Sequence, residues 1–132
     1  MSRENVEIVR RIYADPRGLI ETAADLAAPD VEFDFTDAYP DRPVLKGIEE
    51  MRRFRDTGPW GGSPVHIEPE RLLDLGDERV LALVRVSSTG RGSGVEVELR
   101  PAHEFTVRDG RVVRFKVYRD RAQALKAAGL DG

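Results

Sequence analysis

The chain has 132 residues, of which 40% are hydrophobic and 34% are charged, and these fractions are typical of one folded globular domain. Its net charge of −3, with acidic and basic residues mixed along the chain, argues against a nucleic-acid surface, which needs a concentrated basic face. The absence of cysteine excludes disulfides, thiol catalysis and thiolate metal sites.

The N-terminus and the apolar runs bear on where the protein acts. The first five residues include an acidic side chain and lack the apolar segment that a signal peptide contains. No signal peptide is therefore expected. No apolar run approaches the roughly 20 residues that span a bilayer. We therefore expect a cytoplasmic protein that does not contact a membrane.

The first part of the chain is predicted to be helical. Val6, Val9 and Tyr13 follow helical spacing, which predicts a helix over about residues 3–14. A short, Ala-rich helix is predicted over Leu19–Leu26, and it ends before a proline because the residue before a proline resists the α region.

The first strand is predicted over Val31–Asp37, by its alternation and its phenylalanine content. Phe33 and Phe35 share a parity with Asp37. Because alternate residues of a strand share one face, Asp37 is expected at the end of an apolar track.

A third helix is predicted over residues 47–54, where Ile48, Met51 and Phe54 lie on one stripe. The loop that follows is rich in proline and glycine and holds the only tryptophan, Trp60. Proline and glycine restrict the path of such a loop, while Trp60 offers a large apolar surface.

The back half, from Val65 to Tyr118, is predicted to form four consecutive strands joined by tight turns. Asp109-Gly110 is a strong hairpin signal because both residues favour positive φ. A final short helix, capped by Asp120, is predicted over residues 121–128. One alternating track in the third of the four strands is apolar except for a histidine, and comprises Val95, Val97, Leu99, Pro101, His103, Phe105 and Val107. His103 is therefore predicted to point toward the core.

This order of elements predicts a single α+β domain over residues 1–132, with its helices on one face of a curved sheet. The concave face would form a cone with an apolar interior, which is an ordinary small-molecule site. Asp37 and His103 would supply the polar groups of this pocket. The apolar residues expected to contact the ligand are Phe33, Phe35, Trp60, Leu99 and Phe105.

The segment from Phe105 to Phe115, with Tyr118 and Asp120 behind it, resembles the nuclear-transport-factor-2-like superfamily, in particular its SnoaL-like polyketide-cyclase and ketosteroid-isomerase branch. The resemblance extends over nearly the whole chain. It implies a cone-shaped α+β barrel, with a curved mixed or antiparallel sheet wrapped around the N-terminal helices and an internal pocket. It does not imply one activity, because this fold hosts many unrelated functions.

The resemblance also implies roles for three residues. In ketosteroid isomerases a tyrosine late in the first helix donates to an oxyanion, and Tyr13 matches it; the general base at the end of the first strand is matched by Asp37. The second donor of those enzymes, a protonated aspartate, is replaced here by His103. Histidine at this position looks more like the hydratase, dehydratase or cyclase members, in which histidine and aspartate move protons. The implied activity is cofactor-free acid/base chemistry, such as isomerisation, cyclisation or dehydration of an apolar carbonyl compound.

Structural interpretations stay open for the same residues. His103 could be a core histidine bonded to Tyr13 or Asp37, Asp37 could be a turn residue, and Tyr13 could be a core aromatic. The chain would then be a non-catalytic ligand-binding or accessory domain. Epoxide hydrolysis, for which relatives use an Asp-Arg-Asp set, is a weaker alternative with Arg85 and Arg100 as its candidates.

No metal or cofactor is expected, because His66 and His103 lie on different predicted strands without clustered carboxylates. A homodimer is expected from the resemblance. The presumed outer tracks of the sheet combine Arg, Glu and Tyr with Leu81 and Val112, which suits a partly polar interface.

Overall fold

The structure is a computed structural model, and it describes residues 2–15, 19–37, 44–57, 65–89 and 96–129. These ranges contain four helices and seven strands. The helices are α1 (Ser2–Ala14), α2 (Leu19–Leu26), α3 (Ile48–Thr57) and α4 (Arg121–Ala127). The strands are β1 (Ala27–Asp34), β2 (Leu45–Lys46), β3 (Val65–Gly76), β4 (Arg79–Thr89), β5 (Glu96–Leu99), β6 (Ala102–Arg108) and β7 (Arg111–Tyr118).

The strands form one mixed sheet in the order β2-β1-β7-β6-β4-β3, and β5 pairs with β4 beyond the end of β6. All neighbouring strands are antiparallel except β1 and β7, which are parallel. The sheet remains open, because β2 and β3 lie at opposite ends of the strand order. The predicted α+β class is confirmed, in the form of an open, curved sheet that fits the cone-shaped fold.

The first strand begins four residues earlier than predicted and ends three residues earlier. β1 starts at Ala27 and passes through Pro29, which has no N–H to donate to a ladder. The pairing with β7 shifts register between Ala27 and Glu32, so the proline occupies an irregular stretch that a bulge tolerates. On its other side, Val31 accepts a hydrogen bond of 2.7 Å from the amide of Gly47.

The predicted third strand of the back half is two strands, β5 and β6, separated at Arg100 and Pro101. The register against β4 is the same on both sides of the break, since Leu99 pairs with Val86 and His103 pairs with Ala82. Pro101 cannot donate, but its carbonyl still accepts from the amide of Val84 at 3.2 Å. The alternation predicted for this segment therefore persists across the break.

The main core lies between the inner face of the sheet and the first three helices. The fourth helix differs from the prediction, because α4 packs on the opposite face. Its Ala124 is fully buried against three outward side chains of β4 and β6, namely Leu81, Leu83 and Ala102. Asp120 caps α4 as predicted, and its carboxylate accepts from the amide of Ala122 at 2.8 Å.

The hairpin between β6 and β7 forms at Asp109 and Gly110, which have φ values of 53° and 78° as the sequence predicted. A bulge shifts the register between Thr106 and Val107. The extra residue turns Val112 to the inner face, where it is buried in the main core. Its assignment to the outer face was therefore wrong.

Candidate functional site

A polar pair lies within the apolar interior. The hydroxyl oxygen of Tyr13, at the end of α1, is 2.6 Å from Nδ1 of His103 on β6. Parity places His103 on the inner face, where only 5% of its surface is exposed. The main core packs around it, as the alternation of β6 predicted.

The surroundings of His103 are aromatic. Its ring lies edge-on to Phe115 with 4.9 Å between the ring centroids, and it is nearly parallel to Tyr13 at 6.0 Å. Burial in this environment lowers the pKa of His103 to about 3, because the charged imidazolium is disfavoured. Burial also raises the pKa of the Tyr13 hydroxyl well above its usual value. At neutral pH both groups are therefore uncharged.

Asp37 occupies the turn that follows β1 and is half-buried. Its Oδ2 accepts a hydrogen bond of 3.0 Å from the backbone amide of Arg119, which follows β7. Among the residues that the structure describes, Asp37 makes no hydrogen bond to His103 or Tyr13. The carboxylate is thus held beyond the end of the β1–β7 pair.

The other predicted ligand-contacting residues lie at different depths. Phe33 and Phe105 are each paired with Phe115, so the three rings form one level across the sheet, which we call the aromatic level. Phe35 is buried and packs against Phe115 and Phe54. Leu99 shares the inner parity but is 45% exposed, away from the core. Trp60 lies outside the described residues.

A small cavity of about 20 Å³ lies next to the aromatic level. We call it the apolar chamber. It is lined by side chains from α2, α3, β1, β6 and β7 that carry no hydrogen-bonding group: Ile20, Ala23, Ala27, Val31, Phe33, Met51, Phe105, Val112 and Phe115.

The two arginines considered for epoxide chemistry have other partners. Arg85 donates to Glu68 at 2.7 Å, and Arg100 lies 3.1 Å from Glu98. Both arginines belong to ion pairs with an exposed or partly exposed partner. Over the described ranges, no three His, Asp or Glu side chains are grouped so as to hold a metal ion. None of the helices in those ranges has the length and hydropathy needed to cross a membrane.

The family of the chain is shown by comparison with models of known protein families. The SnoaL-like domain matches residues 9–115. The chain belongs to this family. A comparison with curated protein sequences finds no significant match.

Solved structures agree on the fold of this SnoaL-like domain. It is similar to a candidate SnoaL-like polyketide cyclase from Jannaschia sp. CCS1, with a TM-score of 0.71 and 21% identity over 96% of this chain and 92% of that one. TerC, crystallised with polyporic acid, gives a TM-score of 0.72 and 22% identity over 96% and 98% of the two chains. A candidate ketosteroid isomerase from Kribbella flavida DSM 17836 gives 0.68 and 19% identity over 89% and 78%.

Two residues of the candidate site were not singled out from the sequence. Phe115 contacts His103 and also lines the apolar chamber. Met51 lines the same chamber from α3. Phe115 has the inner parity of β7, which was a usable signal, but the bulge before it obscured the strand's alternation. Met51 was recognised only as part of the apolar stripe of α3.

Proposed function

We propose that this SnoaL-like domain binds a small apolar carbonyl compound beside the Tyr13–His103 pair and transfers protons on it without a cofactor, as an isomerase, cyclase or dehydratase. The observation that carries the proposal is the 2.6 Å hydrogen bond between Tyr13 and His103 inside an aromatic environment. The fold is one whose relatives include a candidate polyketide cyclase and a candidate ketosteroid isomerase.

The direction of that hydrogen bond determines what the pair offers a ligand. A phenol is a far stronger acid than a neutral imidazole N–H. The hydroxyl group of Tyr13 is therefore the donor of the hydrogen bond, and Nδ1 of His103 is its acceptor. Nε2 then carries the ring proton. A neutral imidazole fixed in this tautomer is a hydrogen-bond donor to a carbonyl oxygen, and it stabilises the negative charge that develops there during enolisation.

Asp37 is the proposed base. The amide of Arg119 occupies Oδ2 and orients the carboxylate. A carboxylate has a second oxygen with its own lone pairs, and this oxygen would take the proton next to the carbonyl. The low pKa of His103 keeps its imidazole uncharged at neutral pH, which suits a hydrogen-bond donor rather than a general base.

The test is exchange of the protons next to the carbonyl of cyclic and open-chain ketones in deuterated water, followed by NMR. Asp37→Asn should slow catalysed exchange by about 10²–10⁴-fold, the usual contribution of a general base. His103→Gln should also slow it, because the oxyanion donor is displaced. Asp30→Asn, which changes an exposed carboxylate on β1, the strand that precedes Asp37, is the matched control. Full exchange rates in both site variants would refute the proposal.

The second candidate is a non-catalytic ligand-binding or accessory domain. It is favoured by the engagement of Asp37 with Arg119 and by the lack of any carboxylate in contact with the Tyr13–His103 pair among the described residues. This candidate predicts that ketones bind, and that binding weakens in the His103 variant, while no exchange is catalysed.

We also propose a cytoplasmic homodimer formed through the outer face of the sheet. On that face β1 and β7 carry opposite charges, with Arg114 2.9 Å from Asp34 and 3.9 Å from Glu32. Lys116 lies over the ring of Tyr118 on the same strand. Such a surface suits a partly polar interface. Sedimentation at micromolar concentration tests the proposal, and a monomer would contradict it.

A further inference from the structure

We propose that the apolar chamber is a subsite for the hydrocarbon end of the ligand, and that Met51 determines how long that end can be. This inference rests on the proposed function, because it assigns the far end of the same ligand whose carbonyl meets His103. It assigns the substrate class as carbonyl compounds with an alkyl terminus.

The position of the chamber follows from the strand register. His103 pairs with Val117, and Phe105 pairs with Phe115 one step further along the same two strands. Val112, beyond the bulge, lines the chamber. The order from the polar pair inward is therefore His103, the aromatic level and the apolar chamber. Two residues along a strand cover roughly 7 Å, so the carbonyl and the alkyl terminus would be at least that far apart.

The aromatic level lies between the Tyr13–His103 pair and the apolar chamber. The ring centroids of Phe115 and His103 are 4.9 Å apart, and those of Phe105 and Tyr13 are 5.8 Å apart. Both phenylalanines also line the chamber. The same two rings thus form a wall of the polar pair and a wall of the chamber. A ligand that reached from His103 into the chamber would have to displace one of these two rings.

The lining of the chamber selects the chemistry of its occupant. A volume of about 20 Å³ accommodates one water molecule or one methyl group. Water in the chamber would find no hydrogen-bond donor or acceptor among the lining side chains, which penalises its binding there. A hydrocarbon group gains from burial without that penalty.

Met51 is the adaptable part of the wall. Its side chain lines the chamber from α3, and an unbranched thioether fills irregular gaps and changes rotamer more easily than branched side chains. On the solvent side of the chamber, the neighbouring Arg52 donates to both carboxylate oxygens of Glu21 on α2, at 2.9 and 3.1 Å. This ion pair joins the two helices that cover the chamber, so depth is adjusted at Met51 rather than by separation of the helices.

The experiment measures dissociation constants for methyl ketones whose alkyl chains lengthen from ethyl to octyl. In the wild type, affinity should rise about fourfold for each added methylene until the chamber is full, and then level off. The chain length at which affinity levels off is called the limit. Met51→Ala should move that limit outward by about two methylenes, so that the longest ketones bind about 16-fold more tightly than to the wild type. Ala23→Val, which fills the chamber from α2, should move the limit inward.

Ile48→Ala is the matched control, because Ile48 packs against the core from α3 but does not line the chamber. It should leave the limit in place. Thermal unfolding establishes that each variant is folded, and Ala23→Val provides the test if Met51→Ala does not fold. A limit that is the same in Ala23→Val and in the wild type overturns the subsite, as does a limit that Ile48→Ala moves equally.

The outcome separates the subsite from the function on which it rests. His103→Gln should weaken the binding of every ketone by a similar factor and leave the limit unchanged. If His103→Gln has no effect on ketone binding, the assignment of the carbonyl to His103 fails. A limit that moves with Met51 would in that case still support an alkyl subsite.

Discussion

Tyr13 and His103 share a 2.6 Å hydrogen bond although they are 90 residues apart in the chain. The bond joins the last turn of α1 to the inner face of β6 and holds two uncharged polar groups inside an aromatic core. A buried group of this kind is costly when its partner is removed, because it then loses both the protein hydrogen bond and its hydration. The pair therefore contributes to stability and sets the tautomer of the imidazole.

Tyr13→Phe should destabilise the protein by about 1–3 kcal/mol, the cost of leaving Nδ1 of His103 buried without a partner. Urea unfolding measures this change. Nitrogen NMR of the imidazole should show the Nε2-protonated tautomer in the wild type. Tyr118→Phe, on the outer face, is the control and should change the free energy of unfolding by less than about 0.5 kcal/mol. An Nδ1-protonated imidazole in the wild type would contradict this assignment, because Nδ1 would then be the donor.

Stability should fall as the pH drops from about 6.5 toward 3 because of His103. The pKa of this group is about 3 in the folded protein and about 6.5 in the unfolded chain, so the unfolded chain binds more protons between these values. The loss is at most about 1.4 kcal/mol per pH unit. Unfolding free energies measured between about pH 7 and pH 5 should show this slope in the wild type and in His66→Gln. His103→Gln should lack it, and parallel curves for His103→Gln and the wild type would contradict the prediction.

Asp34→Asn should destabilise the protein by about 1 kcal/mol at neutral pH. Burial would raise the pKa of Asp34, but hydrogen bonds from Thr36 and the charges of Lys116 and Arg114 together lower it. This stabilisation is present above the unfolded pKa of about 3.9 and is lost as the pH falls below it.

Acid denaturation followed by circular dichroism should accordingly separate Asp34→Asn from the wild type at neutral pH and bring the two together in acid. Glu32→Gln is the control, because Glu32 is half-exposed and 3.9 Å from Arg114. It should change stability by less than about 0.5 kcal/mol. An equal effect of both substitutions would show that burial of Asp34 is not the cause.

Asp120→Ala should cost about 1 kcal/mol, because the amide of Ala122 loses the side chain that caps α4. Asn accepts the same hydrogen bond, so Asp120→Asn should retain most of the stability. Hydrogen exchange should become faster in α4 of the alanine variant. Equal exchange in the two variants would mean that Arg121, which donates to Val84 and Glu70, anchors the helix instead.

Local signals in the sequence were sufficient for much of the fold. The spacing of Val6, Val9 and Tyr13 predicted α1, and the Asp109-Gly110 pair predicted the last hairpin, because each depends on residues that are neighbours in sequence. The bulge before Val107 and the packing of α4 on the outer face depend on contacts between distant strands. Alternation alone therefore assigned Val112 to the wrong face.

The site was predictable to the same extent. Parity placed His103 on the inner face of its strand, since parity is a property of one strand. Its hydrogen bond to Tyr13 requires the relative position of α1 and β6, which no local pattern contains. Its pKa is lowered by burial among side chains from more than one element, including the ring of Phe115 on β7.

The parallel pairing of β1 with β7 has a consequence for how the chain is made. Phe33 on the first strand pairs with Phe115 on the last, and Asp37 binds the amide of Arg119, 82 residues further on. During synthesis on the ribosome, β1 has no partner on this side until β7 has emerged. Contacts so distant in sequence also slow folding, because a long loop must close before they form. The nascent chain therefore cannot complete its core before β7 has been made, and the inner side chains Val31 and Phe33 of β1 lack that neighbour until then.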